Sequence, residues 1–490
     1  MSTTTVECPA GPITGREKEG VLLFAGVPYA KPPVDELRFK APEPLPPFAE
    51  PYEAFKFGPA APQVPSGGLT DSAPVRWSED CLTLNISTPA CDSEGRAVLV
   101  WIHGGGYRTG QSSIPWYNGT SFANNDVVVV SVNYRLGALG FTDLSHLGSE
   151  YKNSAVNGTL DQIAALTWVK ENISAFGGDP SRVTIAGESA GGFSVATLLG
   201  CEQAQGLFHR AIPQSGAAHH TLPKEASSKV TEKFFAELGQ DSVIGLLGAD
   251  VEDILAAQSA TISHFETGAG VQNSLGTTVS PFYPAHGTEL LPESPFDAIT
   301  RGVGAEVALL TGSNTHETTL WGYGKVDDAK LERIATANGA AATLPVYRNE
   351  RPEADAHELL IALTSDHMFR IPGIRLVEAR LAHTDANWMY LFNWASRAFE
   401  GRLKATHALE IPFAFNNMDR AGVDVFIGPG PVPQYVADTM HKAWVEFIQT
   451  GDPGWSRYEP TSRTTMVFDE TSATADDPFA AERAAWEGLR

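Results

Sequence analysis

Short apolar runs along the chain predict strands. Three of them, AVLVWI at 97–102, VVVVSV at 127–132 and VALLT at 307–311, are continuous, which is typical of strands buried on both faces of a sheet. The run WMYLFN at 388–393 predicts the last strand. By contrast, Leu82, Leu84 and Ile86 alternate with other residues, which predicts a half-buried strand.

A helical pattern lies between two of these strands. Apolar residues recur with helical spacing over 160–172, after the strand at 127–132 and before a short apolar run at 183–186. Strand, helix and strand in this order imply a parallel crossover and hence an α/β fold, with a mostly parallel central sheet flanked by helices. Residues 211–216 predict a further strand, and 436–450 predict the closing helix.

Long segments between the strands predict insertions. We interpret residues around 221–300 and 325–385 as helical insertions that cover the strand ends and shape access to an active site. Residues 22–65 are rich in proline, with aromatic residues between the prolines, which predicts an irregular segment packed onto the body. A length of 490 residues suggests about three domains. No linker-like segment interrupts the chain, however, so we predict one domain over 1–490.

Charge and composition exclude several classes of partner. The net charge is −23, which disfavours nucleic acid and anionic membrane surfaces. No apolar run approaches the roughly 18 residues of a membrane span, and the N-terminus lacks the pattern of a signal peptide. Four cysteines in so long a chain suit a reducing compartment, so we expect free thiols and a cytoplasmic protein. The sequence also has four N-x-S/T sequons, at Asn85, Asn118, Asn157 and Asn172. They are little evidence of N-glycosylation in a protein that is not secreted.

The residues GESAG at 187–191 predict a catalytic serine. They follow the apolar run at 183–186 and precede a segment that can start a helix, which is the strand–turn–helix setting of a nucleophile elbow. A Cβ atom at Gly187 or Gly191 would clash in so sharp a turn, and the following helix directs its N–H groups toward Ser189. The alternative is a glycine-rich turn with an incidental serine.

The sequence HGGG at 103–106 directly follows the buried strand at 97–102. Glycines at this position free backbone N–H groups to line a cavity, as in an oxyanion loop of the HGGG type. A plain tight turn is the alternative. The position of this motif some eighty residues before the elbow favours the oxyanion loop.

A nucleophilic serine also needs a base, and the base needs an acid to orient it. In α/β folds with a nucleophile elbow, the order of these residues along the chain is serine, acid, histidine. Glu317 lies just beyond the strand at 307–311, and His407 follows the strand at 388–393. Asp366 also lies between the serine and the histidine, but its neighbours have helical spacing, so we prefer Glu317.

Together these residues resemble the type-B carboxylesterase family, which includes cholinesterases and bacterial para-nitrobenzyl esterases. The matching stretches span nearly the whole chain and include FAGVPYAKPPVDELRF, EDCLTLNI, WIHGGGY, NYRLGALGF, RVTIAGESAGG, TGSNTHETTLW and ATHALEIPFAF. The resemblance implies an α/β-hydrolase fold with Ser189 as nucleophile, Glu317 as acid and His407 as base. It likewise implies an oxyanion hole formed by Gly105, Gly106 and Ala190. Where the family usually has D-E-G, this chain has His316-Glu317-Thr318.

We therefore predict a serine carboxylic-ester hydrolase that acts through an acyl-enzyme on small to medium apolar esters. Its partner would be a small-molecule substrate, with no metal and no cofactor, and the protein would be a monomer or a small homo-oligomer. The alternatives are a carbamate or amide hydrolase with the same triad, and a non-catalytic binding protein of the same fold. A histidine base predicts activity that rises with pH around a pKa of about 6 to 7.5. Glu188 beside the nucleophile would add negative charge to the site and so tolerate a cationic group on the substrate. We prefer to interpret it as a structural carboxylate hydrogen-bonded beneath the elbow.

Overall fold

The computed structural model describes residues 2–65, 75–268 and 270–489. Its strands in this part of the chain are β1 (Thr3–Cys8), β2 (Gly11–Lys18), β3 (Val21–Pro28), β4 (Tyr52–Glu53), β5 (Thr83–Thr88), β6 (Arg96–Ile102), β7 (Val127–Val132), β8 (Gly178–Glu188), β9 (Arg210–Gln214), β10 (Leu222–Pro223), β11 (Ala285–His286), β12 (Ala308–Asn314), β13 (Asn387–Phe392), β14 (Thr464–Phe468) and β15 (Ala473–Asp476). Strands β10 and β11 pair with each other, and the other thirteen form one sheet.

The order of strands across the sheet is β1-β2-β3-β5-β7-β6-β8-β9-β12-β13-β14-β15, and β4 pairs with β2. In this sheet, strands β7, β6, β8, β9, β12, β13 and β14 run parallel to one another. Strands β1, β2, β3, β5 and β15 pair antiparallel with their neighbours in the strand order. The predicted α/β fold with a mostly parallel central sheet is confirmed. Because parallel strands end at the same edge, the loops after β6, β8, β9 and β12 meet there.

Helices cover both faces of this sheet. They are α1 (Thr120–Ala123), α2 (Gly137–Phe141), α3 (Asn157–Asn172), α4 (Ala190–Leu199), α5 (Lys224–Leu238), α6 (Val243–Gly248), α7 (Val251–Phe265), α8 (Pro295–Thr300), α9 (Asp328–Ala337), α10 (Leu344–Glu350), α11 (Ala356–Ser365), α12 (Ile371–Arg380), α13 (Ile411–Ala414), α14 (Val423–Ile427), α15 (Gln434–Thr450) and α16 (Ala480–Ala485). Residues of β6 alternate between two apolar cores, with Val98 and Val100 in one and Leu99 and Trp101 in the other. Helices α5 to α8 lie within 221–300, where residue 269 is outside the described residues, and α9 to α12 lie within 325–385.

Two expectations about the N-terminal part of the chain are wrong. Strand β5 is buried on both faces. Its polar residue Asn85 can be buried because its side chain accepts a hydrogen bond from Gly26 N (2.8 Å) and donates to Ser112 Oγ (2.9 Å) and Ser131 Oγ (3.1 Å). A satisfied amide removes most of the cost of burying a polar side chain. In addition, residues 22–28 belong to strand β3 instead of an irregular segment, since the prolines begin only at its end.

Three of the sequon asparagines are structural. Asn85, Asn157 and Asn172 are 4%, 0% and 2% exposed. Asn157 Nδ2 donates to Phe39 O (2.7 Å), and Asn172 Oδ1 accepts from Ala10 N (2.8 Å). Each carboxamide therefore holds a loop against the core.

The four cysteines, all within the described residues, are free thiols, as expected from the sequence. Burial raises the pKa of Cys81 and Cys201 above the ordinary thiol value. Among the helices described, none has the length and apolar character needed to cross a bilayer.

Candidate active site

Ser189 occupies the sharp turn between β8 and α4. Its backbone has φ 56° and ψ −124°, a strained conformation for a residue with a side chain. A Cβ atom at Gly191 would lie 2.0 Å from Ile102 O, and one at Gly187 would lie 2.5 Å from the same oxygen. Only glycine fits at either position, as the sequence predicted, and the turn holds Ser189 at the edge where the parallel strands end.

The glycine loop after β6 lies directly against this turn. A Cβ atom at Gly104 would be 3.2 Å from Ser189 Cβ, and Gly105 has a φ of +110° that disfavours any other residue. Within the described chain, the N–H groups of Gly105, Gly106 and Ala190 donate no hydrogen bond. The N–H of Ser189, by contrast, donates a hydrogen bond to Gln214 O (3.0 Å). Three open donors therefore surround the serine.

His103 supports the glycine loop from within the core. It is 1% exposed, its Nδ1 lies 2.8 Å from Gly104 O, and its ring stacks on Tyr134 at 4.6 Å. Burial lowers the pKa of His103 to about 4. This imidazole is consequently neutral at physiological pH and acts as part of the scaffold.

Glu317 and His407 form a hydrogen-bonded pair. Glu317 starts the turn Glu317–Trp321 after β12, and its Oε2 lies 2.5 Å from His407 Nδ1. Its Oε1 accepts hydrogen bonds from Ser215 Oγ (2.5 Å) and Asn314 N (2.8 Å). The carboxylate is fully buried. A buried, fully bonded acid fixes both the orientation and the tautomer of the imidazole.

The other nitrogen of His407 faces Glu188. His407 Nε2 lies 3.1 Å from Glu188 Oε1, and Ser189 Oγ has no hydrogen-bond partner in the described part of the chain. Burial alone would lower the pKa of His407, but the Glu188 and Glu317 carboxylates outweigh it and raise the pKa to about 9. This value is above the range expected from the sequence, because the sequence does not show two carboxylates on one imidazole.

We expected Glu188 to lie beneath the elbow as a structural carboxylate, and the structure differs. Glu188 ends β8, lines the same cavity as Ser189, and burial raises its pKa to about 8. A further carboxylate, Glu410, accepts hydrogen bonds from Gln214 Nε2 (3.1 Å) and Asn314 Nδ2 (2.7 Å). Burial, followed by the negative charge of Glu317, raises the pKa of Glu410 to about 7.

The sequence did not single out Ser215, Asn314 or Glu410. A signal was present for two of them, since Asn314 ends β12 and Ser215 directly follows β9, at the edge where Glu317 was sought. Glu410 lies three residues after His407 in a loop, and no motif marks it.

Asp366, the alternative acid, is engaged elsewhere. Its carboxylate accepts hydrogen bonds from Arg370 Nε (2.6 Å) and Nη2 (2.7 Å), and also from the hydroxyl of Tyr347. It lies in a π-helical turn, Asp366–Arg370, between α11 and α12. The structure brings Glu317 to His407 and leaves Asp366 in a separate ion pair.

A cavity of about 470 Å³ opens onto Ser189 and His407. Its apolar lining includes Ile114, Tyr117, Leu320, Trp321 and Ile411, and its polar lining includes Arg108, Thr109, Glu266, Asn273 and Thr277. This volume is in the range of small-molecule sites. In the described residues, no cluster of His, Cys, Asp and Glu is arranged to hold a metal ion.

The chain matches the sequence profile of the Carboxylesterase family over residues 2–486. It belongs to that family. The para-nitrobenzyl esterase of Bacillus subtilis is 35% identical over 99% of this chain and 98% of its own length. The phenmedipham hydrolase of Pseudarthrobacter oxydans is 34% identical over 91% of this chain and 89% of its own length.

Solved carboxylesterase structures have the same fold. That of the Geobacillus stearothermophilus carboxylesterase aligns with a TM-score of 0.87 at 36% identity, covering 99% of this chain and all of the other. A para-nitrobenzyl esterase structure aligns with a TM-score of 0.87 at 34% identity, covering 98% and 99%. This carboxylesterase-family protein is thus an α/β-hydrolase enzyme, and ester hydrolysis is favoured over the carbamate alternative.

Proposed function

We propose that this carboxylesterase hydrolyses small to medium apolar esters with Ser189 as nucleophile, His407 as base and Glu317 as acid. The observation that carries the proposal is the Glu317–His407 pair, 2.5 Å apart, at a cavity that Ser189 also lines. In this proposal the chain is one domain, residues 1–490, with helical insertions around 221–300 and 325–385. We also propose that it works in the cytoplasm as a monomer or small homo-oligomer, without binding nucleic acid.

In the first step, Ser189 Oγ attacks the ester carbonyl while His407 Nε2 takes its proton. This transfer requires Nε2 to exchange its contact with Glu188 for one with Ser189 Oγ, and such contacts often tighten only once substrate is bound. Glu317 holds the ring through Nδ1 and stabilises the imidazolium that forms. His407 then protonates the leaving alcohol, and an acyl-enzyme remains on Ser189.

In the second step, water attacks the acyl-enzyme with His407 again as the base, and the acid is released. The oxyanion of both tetrahedral intermediates would accept hydrogen bonds from the open N–H groups of Gly105, Gly106 and Ala190. One such donor is worth about 3 kcal/mol in related chemistry. The strained backbone of Ser189 and the glycine loop supply these donors already oriented.

The substrate class is supported by the cavity and by the relatives. An apolar lining of five large side chains within about 470 Å³ suits the acyl and alcohol parts of a medium-sized ester. The relative from Bacillus subtilis is named as a para-nitrobenzyl esterase. We therefore expect aryl and benzyl esters with short to medium acyl chains to be turned over.

The test is a rate profile across p-nitrophenyl esters from acetate to octanoate, with one aryl carbamate included. A serine-directed organophosphate should abolish turnover, and mass spectrometry of the digested protein should find the adduct on Ser189. A folded protein without esterase activity, or an adduct on another serine, would overturn the proposal. Faster turnover of the carbamate than of any ester would move the function to the carbamate alternative.

A further inference from the structure

The cavity beside Ser189 carries one permanent positive charge. Its ionisable lining groups in the described residues are Arg108, Tyr117, Glu188, Glu266 and His407. Glu188 and His407 face each other within the site, whereas Arg108 and Glu266 belong to the partly exposed wall. The chain as a whole has a net charge of −23, so an arginine in the lining of this cavity gives the cavity a charge opposite to that of the whole protein.

Arg108 lies close to the glycine loop. Its Cγ and Nε are each 3.9 Å from the position that a Cβ atom at Gly106 would occupy. The stem of the arginine therefore runs beside Gly106, one of the residues with an open N–H, and Arg108 lines the same cavity as Ser189. The arginine side chain is only 34% exposed.

The existing partner of Arg108 is weak. Arg108 Nη1 donates to Glu266 Oε1 at 3.3 Å, and the Glu266 side chain is 55% exposed. Exposed ion pairs of this kind contribute little free energy. A guanidinium has five N–H donors, and two of them can bind both oxygens of one carboxylate in parallel. Glu266 also follows α7 at its C-terminal end, where the helix dipole disfavours a carboxylate.

We propose that Arg108 is a specificity residue that binds an anionic group, a carboxylate, on the ester substrate. The incoming carboxylate replaces Glu266 as the partner of the guanidinium and engages it through two parallel hydrogen bonds. This inference rests on the proposed esterase function and deepens it: among esters with an otherwise apolar body, those with a carboxylate several atoms from the scissile carbonyl are preferred.

The test compares matched esters with and without a carboxylate. For the acyl side, the pair is the p-nitrophenyl monoester of adipic acid and p-nitrophenyl hexanoate. For the alcohol side, the pair is 4-carboxyphenyl butyrate and phenyl butyrate. The quantity is the ratio of kcat/KM for the anionic ester to that for the neutral ester, measured in about 0.1 M salt to screen the net charge of the protein.

We expect Arg108→Gln to lower this ratio about tenfold or more in one of the two pairs, which also locates the carboxylate. Arg108→Lys should keep part of the preference, and Glu266→Gln should raise the ratio because it removes the competing carboxylate. The matched control is Arg348→Gln, which removes an arginine paired with Asp328 outside the cavity lining and should leave the ratio unchanged. An unchanged ratio in both pairs on Arg108→Gln overturns the inference.

A second measurement separates this inference from the esterase function. Calorimetric titration of the Ser189→Ala protein with adipic acid monoanilide and with hexananilide reports binding without turnover. Tighter binding of the acidic anilide that is lost on Arg108→Gln supports the inference even if no ester is hydrolysed. Equal binding of these two anilides, together with equal binding of 4-butyramidobenzoic acid and butyranilide as the matched alcohol-side pair, overturns it, whatever the esterase activity.

Discussion

Two buried carboxylates, Glu317 and Asp366, occupy very different surroundings in this protein. Glu317 pairs with His407 at 2.5 Å, beside a cavity of about 470 Å³. Asp366 pairs with Arg370 at 2.6 and 2.7 Å. Arg370 in turn donates to Pro478 O and lies 3.9 Å from Glu482, close to the end of the chain.

The difference lies in the partner. An arginine keeps its charge at all accessible pH values, so the Asp366–Arg370 pair can only hold α11 and α12 against the C-terminal segment. A histidine can gain and lose its proton within the accessible pH range, with a pKa of about 9 for His407, so the Glu317–His407 pair can move protons. Burial is similar in the two regions, and only the one with a titratable partner at a cavity is suited to catalysis.

Removing the nucleophile gives the largest expected effect. Ser189→Ala should lower kcat by about 10³-fold or more, because serine and histidine act as a unit. The melting temperature should change little, since the substitution removes one oxygen atom and leaves the backbone of the turn as it is. Steady-state kinetics on an activated ester measures the first quantity, and calorimetry the second. Near-normal turnover in the folded variant would remove the chemical role of the whole region.

The acid variants compare the two carboxylates directly. Glu317→Gln should lower kcat at least about 100-fold, because a neutral amide no longer stabilises the imidazolium or fixes its tautomer. On the same ester, Asp366→Asn should lower kcat much less. The opposite ranking in two folded variants would assign the acid to Asp366.

Asp366→Asn should instead act on stability. Leaving Arg370 buried without its carboxylate costs about 3 to 5 kcal/mol of the free energy of unfolding. Chemical denaturation measures this loss. The matched control is Asp385→Asn, which breaks an exposed pair with Arg457 and should change stability little. Equal stability of the two variants would show that the Asp366–Arg370 pair does not hold the C-terminal segment.

The smallest expected effect is a change in pH dependence. The base acts when His407 is deprotonated, and its pKa is raised to about 9, so kcat/KM should rise with pH well above the ordinary histidine range. Glu188→Gln removes a carboxylate that raises this pKa, so the rise should move to lower pH. A kcat/KM profile from pH 5 to 10 measures the shift. An unmoved profile would show that Glu188 does not act on His407.

Much of this fold follows from patterns in the sequence. Strands β6, β7, β12 and β13 are continuous apolar runs because both of their faces are covered, and such runs are readable. The antiparallel strands β1 and β2 are half exposed and rich in polar residues, so no clear pattern marks them. Their pairing depends on neighbours distant in the chain, which local preferences do not encode.

The site was predictable where a motif fixes the local backbone. GESAG and HGGG identify Ser189 and the glycine loop because only glycine fits these turns. Glu317 and His407 followed from strand order and family resemblance, and the structure brings them together. The surroundings of the Glu317–His407 pair were less predictable. Glu188 contacts His407 from the end of β8, Ser215 donates to Glu317 from the residue after β9, and Glu410 comes from a loop that no motif marks.

The buried sequon asparagines have a consequence for the choice of production host. Oligosaccharyltransferases of secretory compartments act on the chain before it folds, when Asn85, Asn157 and Asn172 are all accessible. A sugar on Asn157 would have to occupy the space of Phe39 O and the surrounding core, where the carboxamide is 0% exposed. Routing this enzyme through a glycosylating pathway would therefore place folding and modification in competition at these three sites, whereas Asn118 is partly exposed in the folded protein.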